Sequence, residues 1–349
     1  MGDETGVDAE RFEDRNGQPA PIVHHHHHHH HAGHEMEVGA TEAVTSRVSP
    51  DDRKPIMVTA RRLRFEHARP TWIREMAAEA IGVFIFSYPG IASQASFFLN
   101  DTQPAFGSIM QIGLAFGFGI ASAIMISGPT SGGHLNPAMT ICFAIWHGFP
   151  WKKVPQYILA QVFGAFMSGV VLMGQYHPQI TELAAKTRAA GASLNSSTGP
   201  GALLCGFPAP KQTNHWYLFL IEFFADGFLG FIAWLALDPS NPFVSQLSAP
   251  FIIGLAWANM IWGFGFATVS YNGSRDLGTR IVAAIFFGGD AFPLYSLISI
   301  FTCIPSIFVS TAVYEFFLRD SEACIETGVY AYAGDLKDIE YRGERSRSR

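Results

Sequence analysis

The chain has 349 residues, of which 48% are hydrophobic and only 15% are charged, against roughly 25% charged residues in an ordinary soluble domain. Charge is concentrated in residues 1–75 and 319–349, and the segment between them is apolar and rich in Phe and Gly. This layout is typical of a polytopic membrane protein with two polar tails. The net charge of -6 says nothing specific about nucleic acid, but the basic residues fall in short clusters and not in a binding face, so no nucleic-acid partner is expected. The four cysteines have no spacing that predicts a disulfide framework or a zinc site.

The first tail contains an uninterrupted run of eight histidines, residues 24–31. Such a run is either a purification tag or a natural low-complexity tract, and we assign it no function. Its surroundings are polar and acidic, with no cleavable signal peptide, so we expect a disordered tail.

Six apolar segments are long enough to cross a bilayer, which takes about 20 residues. Two further apolar segments are about half as long, and each follows a Gly/Ser-rich stretch and starts near an Asn. Their length predicts re-entrant half-helices rather than full spans. The six spans are 73–99, 107–127, 155–173, 215–237, 249–270 and 293–318, and the half-helices are 136–147 and 274–287.

Basic residues cluster before the first span, before the third span and at the end of the chain. With six spans these clusters fall on one side, which predicts that both tails are cytoplasmic. Two glycosylation sequons, at Asn100 and Asn195, fall in loops on the opposite side, as glycosylation requires.

The two halves of the apolar region resemble each other. Glu79 and Glu222 lie at equivalent places in the first and fourth spans, and about 50 to 60 residues after each comes a Gly/Ser-rich turn and an Asn. Three spans separate the halves, so the repeats are inverted, which is a transport architecture. We divide the chain into a tail (1–70), a channel domain (71–318) and a second tail (319–349). The channel domain consists of a first repeat (71–174), an outer loop (175–214) and a second repeat (215–318).

The clearest motif opens the first half-helix. Asn136 is a helix N-cap and Pro137 is the first helical residue, where its missing N–H costs nothing. The helix end is positive, and the Asn amide can donate to a passing oxygen while the carbonyls of the preceding residues accept. The motif consists of Gly132, Gly133, His134, Leu135, Asn136, Pro137 and Ala138.

This motif resembles the first signature of the major intrinsic protein family, the aquaporins and aquaglyceroporins, and the resemblance covers about residues 72–318. It implies an all-α membrane protein with six transmembrane helices and two re-entrant half-helices in two inverted repeats. The second signature is altered, because the family has Pro and Ala where this chain has Gly273 and Ser274, whereas Asn272 is kept. Loss of the Pro removes a preset φ and adds a free N–H, and Gly273 predicts a looser turn.

The resemblance also implies an outer selectivity filter. Arg275 is its cation, which repels protons and metal ions, and a structural ion pair with Asp276 is the alternative role. Phe116 takes the aromatic place, or is simply a packed core residue, and the position on the fifth span falls at Met260 or Ile261. Val269 belongs to the same set.

The expected function is passive passage of water and small uncharged solutes, without cofactor, metal or chemistry. The chain has no His after His215, so a narrow His-containing water filter is absent. Asp276 and Arg280 match glycerol-conducting members, whereas Phe116 is typical of water channels. Glycerol as well as water is favoured, and the alternatives are a water-selective channel and a non-conducting or gated structural member.

The resemblance implies further that Glu79 and Glu222 support the two re-entrant loops, and that four protomers assemble in a membrane, with the plasma membrane expected. Gln161 and Gly164, in the third span, are interpreted as packing residues. Asp226 lies one turn after Glu222 and is extra to the family pattern. No nucleophile with a positioned base supports an enzyme.

Overall fold

The computed structural model describes residues 57–100, 107–265 and 270–326. Within these ranges the protein is helical, without strands. The helices are α1 Ala60–Ala68, α2 Thr71–Phe98, α3 Ile109–Ser131, α4 Pro137–Trp146, α5 Val154–Gln175, α6 His177–Ala189, α7 His215–Leu237, α8 Ala249–Phe264, α9 Gly273–Phe287, α10 Tyr295–Phe301, α11 Cys303–Phe317 and α12 Ser321–Glu326.

Five helical segments of the described chain are long and apolar enough to cross a membrane, namely α2, α3, α5 with the short turn before it, α7, and α10 continued by α11. The sixth predicted span is α8, which is apolar but has only 16 residues. Its helix ends at Phe264, before the predicted boundary at residue 270. The helices α4 and α9 are the two predicted half-helices, so the six-span fold with two re-entrant segments is confirmed.

Small residues allow the spans to pack closely. A Cβ on Gly254 of α8 would collide with the carbonyl of Gly117 on α3, and one on Gly164 of α5 would collide with the carbonyl of Ala80 on α2. Backbones approach this closely only where side chains are absent. Gly164 is therefore a packing residue, as predicted.

Each half-helix lies against the third and the sixth span. The first, α4, packs on α5 and α11, and the second, α9, packs on α5 and α10. This equivalence is what inverted repeats require. It brings the N-termini of α4 and α9 to the same place inside the helices.

The sixth span is interrupted at Thr302, between α10 and α11. Pro305 follows three residues later. A proline ring clashes with the carbonyl four residues before it, which here belongs to Phe301, the last residue of α10. The interruption directs the carbonyl of Ile300 toward the N-terminus of α9.

Candidate functional site

The first re-entrant loop, residues 132–136, is held by one buried carboxylate. Glu79 on α2 accepts the backbone N–H groups of His134 and Leu135 at 2.9 and 2.8 Å. Ser131 Oγ and Gln161 Nε2 donate to the same carboxylate at 2.6 and 2.8 Å. A carboxylate with 0% exposure needs such partners. The prediction that Gln161 only packs is wrong, because its amide bonds to this carboxylate.

This loop turns sharply. Gly132, Gly133 and Leu135 have φ of +89°, +64° and +54°, in the left-handed region that glycine favours. Together with His134 they line the inner cavity, a space of about 90 Å³. Its other lining includes Asn136 and residues of α3, α7 and α8.

His134 is packed in an aromatic cluster. Its ring stacks on Phe143 at 4.4 Å between centroids and meets Phe149 and Tyr157 at 4.6 and 5.0 Å. Its Nδ1 is buried and has no hydrogen-bond partner among the described residues. His134 therefore lines the inner cavity while its ring is packed in this cluster.

The second re-entrant loop, residues 270–272, is held by Glu222 on α7. Its carboxylate accepts the backbone N–H of Ser270 at 2.9 and 3.1 Å and the hydroxyl of Tyr295 at 2.8 Å. Asp226 lies one turn further along α7, is 1% exposed, and its Oδ1 has no partner within the described chain. The two carboxylates thus occupy the same buried region with unequal support.

The two signature Asn residues are bonded reciprocally. Asn136 Nδ2 donates to the carbonyl of Tyr271 at 3.1 Å, and Asn272 Nδ2 donates to the carbonyl of Leu135 at 2.7 Å. Each acceptor is the residue directly before the other Asn. An amide group carries two N–H donors, so each Asn keeps one for a molecule in the pathway.

The altered second signature forms a complete helix cap. Asn272 Oδ1 accepts the backbone N–H groups of Ser274 and Arg275, both at 3.1 Å, and also Ser274 Oγ at 2.7 Å. Asn136 in the unaltered signature caps a single N–H, that of Ala138 at 2.9 Å. Ser274 therefore adds a bond that the family's Ala could not make.

Gly273 is not a loose turn, which corrects the sequence-based prediction. It is buried, and a Cβ at this position would collide with the carbonyl of Ile300. Cys303 Sγ lies 3.4 Å from the same point. The missing side chain lets the interrupted sixth span approach the start of α9, in the space where a proline ring would lie.

Arg275 lies on the first turn of α9 beside an outer cavity of about 340 Å³. Its guanidinium carbon is 5.2 Å from the centroid of the Phe116 ring, a cation–π distance. In the described part of the chain no carboxylate pairs with it, and its Nε has no acceptor. Phe116 and Ile261 line the same cavity, whereas Met260 does not. Of the two candidates for the fifth-span position, Ile261 is therefore the one that lines this cavity.

Phe116 is 4% exposed and packs on α8, so it is a core aromatic that also faces the cavity. Val269, the remaining predicted filter residue, lies outside the described residues.

Asp276 does not line either cavity, contrary to its placement among the pore residues. It is 0% exposed and accepts Arg280 Nε at 2.6 Å, Ser299 Oγ at 3.1 Å and the backbone N–H of Gly206 at 3.2 Å. Arg280 Nη2 in turn donates to the carbonyl of Gly206 at 2.7 Å. This buried ion pair anchors the outer loop over α9. The carboxylate oxygens of Asp276 are occupied by these bonds and do not pair with Arg275.

The outer loop contains a helix, α6, that the sequence analysis did not predict. Beyond α6, Asn195 is 7% exposed, and its Nδ2 donates to Asp290 Oδ1 at 2.6 Å and to the carbonyl of Gly288 at 3.2 Å. A glycan on this amide would replace both bonds. Asn100, the other sequon, lies just beyond α2 and is partly exposed. Glycosylation at both positions stays a prediction.

Two further residues lie on the pathway that sequence reasoning missed. Trp257 on α8 and Tyr271 in the second loop line both the outer and the inner cavity. The position of Tyr271 directly before Asn272 was the available signal. Nothing in the spacing of α8 singles out Trp257.

A pathway that runs past paired amide donors and one arginine, inside a set of apolar membrane-spanning helices, defines a membrane channel. The family model of the major intrinsic proteins matches residues 66–307. The chain belongs to this family, and it is therefore a channel and not an enzyme.

The relatives support this assignment. An aquaporin of Laccaria bicolor is 36% identical over 260 residues, which cover 73% of this chain and 79% of the relative. An aquaglyceroporin of Rhizophagus irregularis is 36% identical over 235 residues, which cover 67% of this chain and 72% of the relative. The X-ray structure of the aquaglyceroporin from Plasmodium falciparum has the same fold, with a TM-score of 0.62 and 24% identity over 74% of this chain and 100% of the other.

Proposed function

We propose that this channel passes water and glycerol passively and excludes protons and ions. The observation that carries the proposal is the single guanidinium of Arg275 beside the outer cavity, with no acidic partner among the described residues. A fixed cation in a narrow apolar passage repels other cations, while its N–H groups bond to neutral oxygens. The free N–H of each signature Asn offers the next donors along the path.

Glycerol is included because the fifth-span position is the aliphatic Ile261. An imidazole there would add a second polar group opposite Arg275, whereas Ile261 presents apolar surface to the carbon backbone of a polyol. The names of the relatives as aquaporins and aquaglyceroporins are consistent with both solutes. A water-selective channel is the alternative, favoured by Phe116.

We infer the following arrangement in the membrane. Both tails, residues 1–70 and 319–349, are cytoplasmic, and Asn100 and Asn195 face outward. The ion pair between Lys153 Nζ and Glu75 Oε1 at 2.8 Å supports this, because it joins the start of the first span to the start of the third on one side. Four protomers assemble in the plasma membrane, each with its own pore.

The test measures osmotic shrinkage of liposomes that contain the full-length protein, after rapid mixing with an osmolyte. A sugar gradient measures water efflux, and a glycerol gradient measures glycerol re-entry. Fast water efflux with fast glycerol re-entry supports the proposal. Fast water efflux without glycerol entry establishes the water-selective alternative.

Replacement of Arg275, the proposed filter cation, tests whether this residue excludes protons. Arg275→Ala should raise proton leak at least about tenfold, because a unit charge 4 Å away repels another by about 4 kcal/mol at an effective dielectric constant of 20. An encapsulated pH-sensitive dye measures the leak. Arg188→Ala, which removes an exposed arginine on α6, is the matched control and should leave the leak unchanged. Equal leak in both variants contradicts the role of Arg275.

A non-conducting member is the second candidate. The observation in its favour is that Trp257 and Tyr271 stand between the outer and inner cavities. It predicts shrinkage no faster than in empty liposomes, with or without the tails.

A further inference from the structure

The pathway is divided into two cavities. The outer cavity, about 340 Å³, contains Arg275 and Phe116, and the inner cavity, about 90 Å³, contains Asn136 and Asn272. Of the described residues, only Trp257 and Tyr271 line both. A solute that travels from the arginine to the paired amides therefore has to pass these two residues.

The rings are packed against each other and against the wall. Trp257 meets Tyr271 edge-on, with centroids 5.6 Å apart and planes at 81°. On its other sides it stacks with Phe116 at 6.3 Å and tilts against Phe86 at 5.7 Å. Trp257 is 7% and Tyr271 2% exposed. Edge-to-face and stacked pairs at these distances are favourable beyond their buried area.

Tyr271 is held in an unusual conformation. Its φ is +60°, which is rare for a bulky residue and persists only where the surroundings enforce it. Its hydroxyl donates to the carbonyl of Met260 at 2.7 Å, and its own carbonyl accepts Asn136 Nδ2 at 3.1 Å. Both ends of the residue are thus fixed, one to α8 and one to the first loop.

The indole N–H of Trp257 differs from those of the buried Trp234 and the partly buried Trp146. Trp234 and Trp146 donate their indole N–H to Glu315 and Thr311 at 2.6 and 3.1 Å. Among the described residues, no acceptor bonds the indole N–H of Trp257. Its nitrogen is also not one of the fully buried side-chain atoms that lack a hydrogen-bond partner. A buried Trp N–H normally finds a partner, and here the cavities provide the place for one.

We propose that Trp257 and Tyr271 form a third selectivity element, an aromatic constriction between the arginine filter and the paired Asn residues. The rings set the largest solute that passes, and the indole N–H of Trp257 bonds to the oxygen of water or of a polyol hydroxyl in transit. The inference rests on the proposed function, since it assigns the size limit of the same pathway. It also assigns that limit to Trp257 on the fifth span and Tyr271 in the second loop, rather than to the altered signature at Gly273 and Ser274.

The experiment measures entry of glycerol and of the four-carbon polyol erythritol into liposomes that contain the wild-type protein, Trp257→Ala, Trp257→Phe or Trp216→Ala. Trp216 is 66% exposed at the start of α7 and is the matched control. Thermal unfolding in detergent checks that each variant folds. Trp257→Phe retains a ring, so it tests the proposal if Trp257→Ala does not fold.

Erythritol entry should rise at least about fivefold in Trp257→Ala, a change of about 1 kcal/mol in the barrier, and less in Trp257→Phe. Trp216→Ala should match the wild type. If the wild type passes water and both Trp257 variants keep its polyol permeabilities, the constriction is refuted while the channel function stands. If neither the wild type nor any Trp257 variant exceeds empty liposomes for water, both the constriction and the proposed function are overturned.

Discussion

The two re-entrant loops each position a signature Asn, but different interactions hold them in place. The first keeps the family's Pro137, and Glu79 supports it with four accepted hydrogen bonds. The second has Gly273 in place of the proline, and among the described residues Glu222 accepts the backbone N–H of Ser270 and the hydroxyl of Tyr295. The Ser274 hydroxyl on the cap and the close approach of the sixth span add to this support.

The difference teaches that an altered signature need not be a damaged one. Asn272 in the second loop still donates its side-chain N–H to the carbonyl of Leu135 in the first loop, at 2.7 Å. With Gly273 in place of the proline, the start of α9 is held by packing against α10 and not by the fixed φ of a proline. The structure around Gly273 has adapted to the substitution, which makes the comparison of the two loops open to direct tests.

The largest expected effect concerns the supporting carboxylates. Glu79→Gln should lower the free energy of unfolding by about 3 kcal/mol, because the new amide N–H faces donors and leaves buried groups unpaired. Glu222→Gln should cost less, because among the described residues its carboxylate accepts from Ser270 and Tyr295, whereas that of Glu79 accepts from four residues. Thermal or denaturant unfolding in detergent measures both. Equal losses in the two variants would mean that the loops are supported alike.

A smaller effect is expected where the second signature is restored. Gly273→Pro should destabilise the fold by about 1–3 kcal/mol, because the ring overlaps the carbonyl of Ile300 and overpacking carries this cost. Ser274→Ala, the companion change, should cost about 1 kcal/mol through the lost bond to Asn272. The same unfolding assay applies. Stabilisation by Gly273→Pro would show that the sixth span does not approach as described.

The smallest effect concerns the outer loop. Hydrogen bonds from Ser193 and Asn195 lower the pKa of Asp290 below its ordinary value of 3.8. A pKa lowered in the folded state means that these bonds contribute at neutral pH and are lost as the pH falls through the lowered pKa. Hydrogen exchange of residues 190–199 should therefore be flat from pH 7 to about 5 after correction for intrinsic rates. Asp290→Asn should speed exchange at pH 7, and unchanged exchange would contradict the tether.

Much of the fold could be predicted because hydropathy and length report directly on membrane spans. The first span was predicted to begin at residue 73 and begins at Thr71, and both half-helices lie close to their predicted bounds. The helix α6 was missed because it is polar and has few apolar residues, and its buried residues are Ile180, Ala184 and Thr187.

The residues of the site were predictable only where they belong to a sequence motif. Asn136, Asn272 and Arg275 follow from the signatures, and the structure brings them to the two cavities. Asp276 was misplaced because its pairing with Arg280 and Gly206 depends on how the outer loop folds back. Trp257 was missed because one aromatic residue among many in an apolar helix carries no periodic signal, and its importance follows only from which helix face meets the pathway.

The reciprocal bonds between the signature Asn residues also bear on how the protein responds to its bilayer. Separation of the two halves at the midplane would break both bonds together, those of Asn136 to Tyr271 and of Asn272 to Leu135. Each unsatisfied amide or carbonyl at that depth costs several kcal/mol. A membrane that thins or stretches can therefore change the tilt of the outer helices while the two loops remain joined, so solute passage at the midplane should be insensitive to membrane tension.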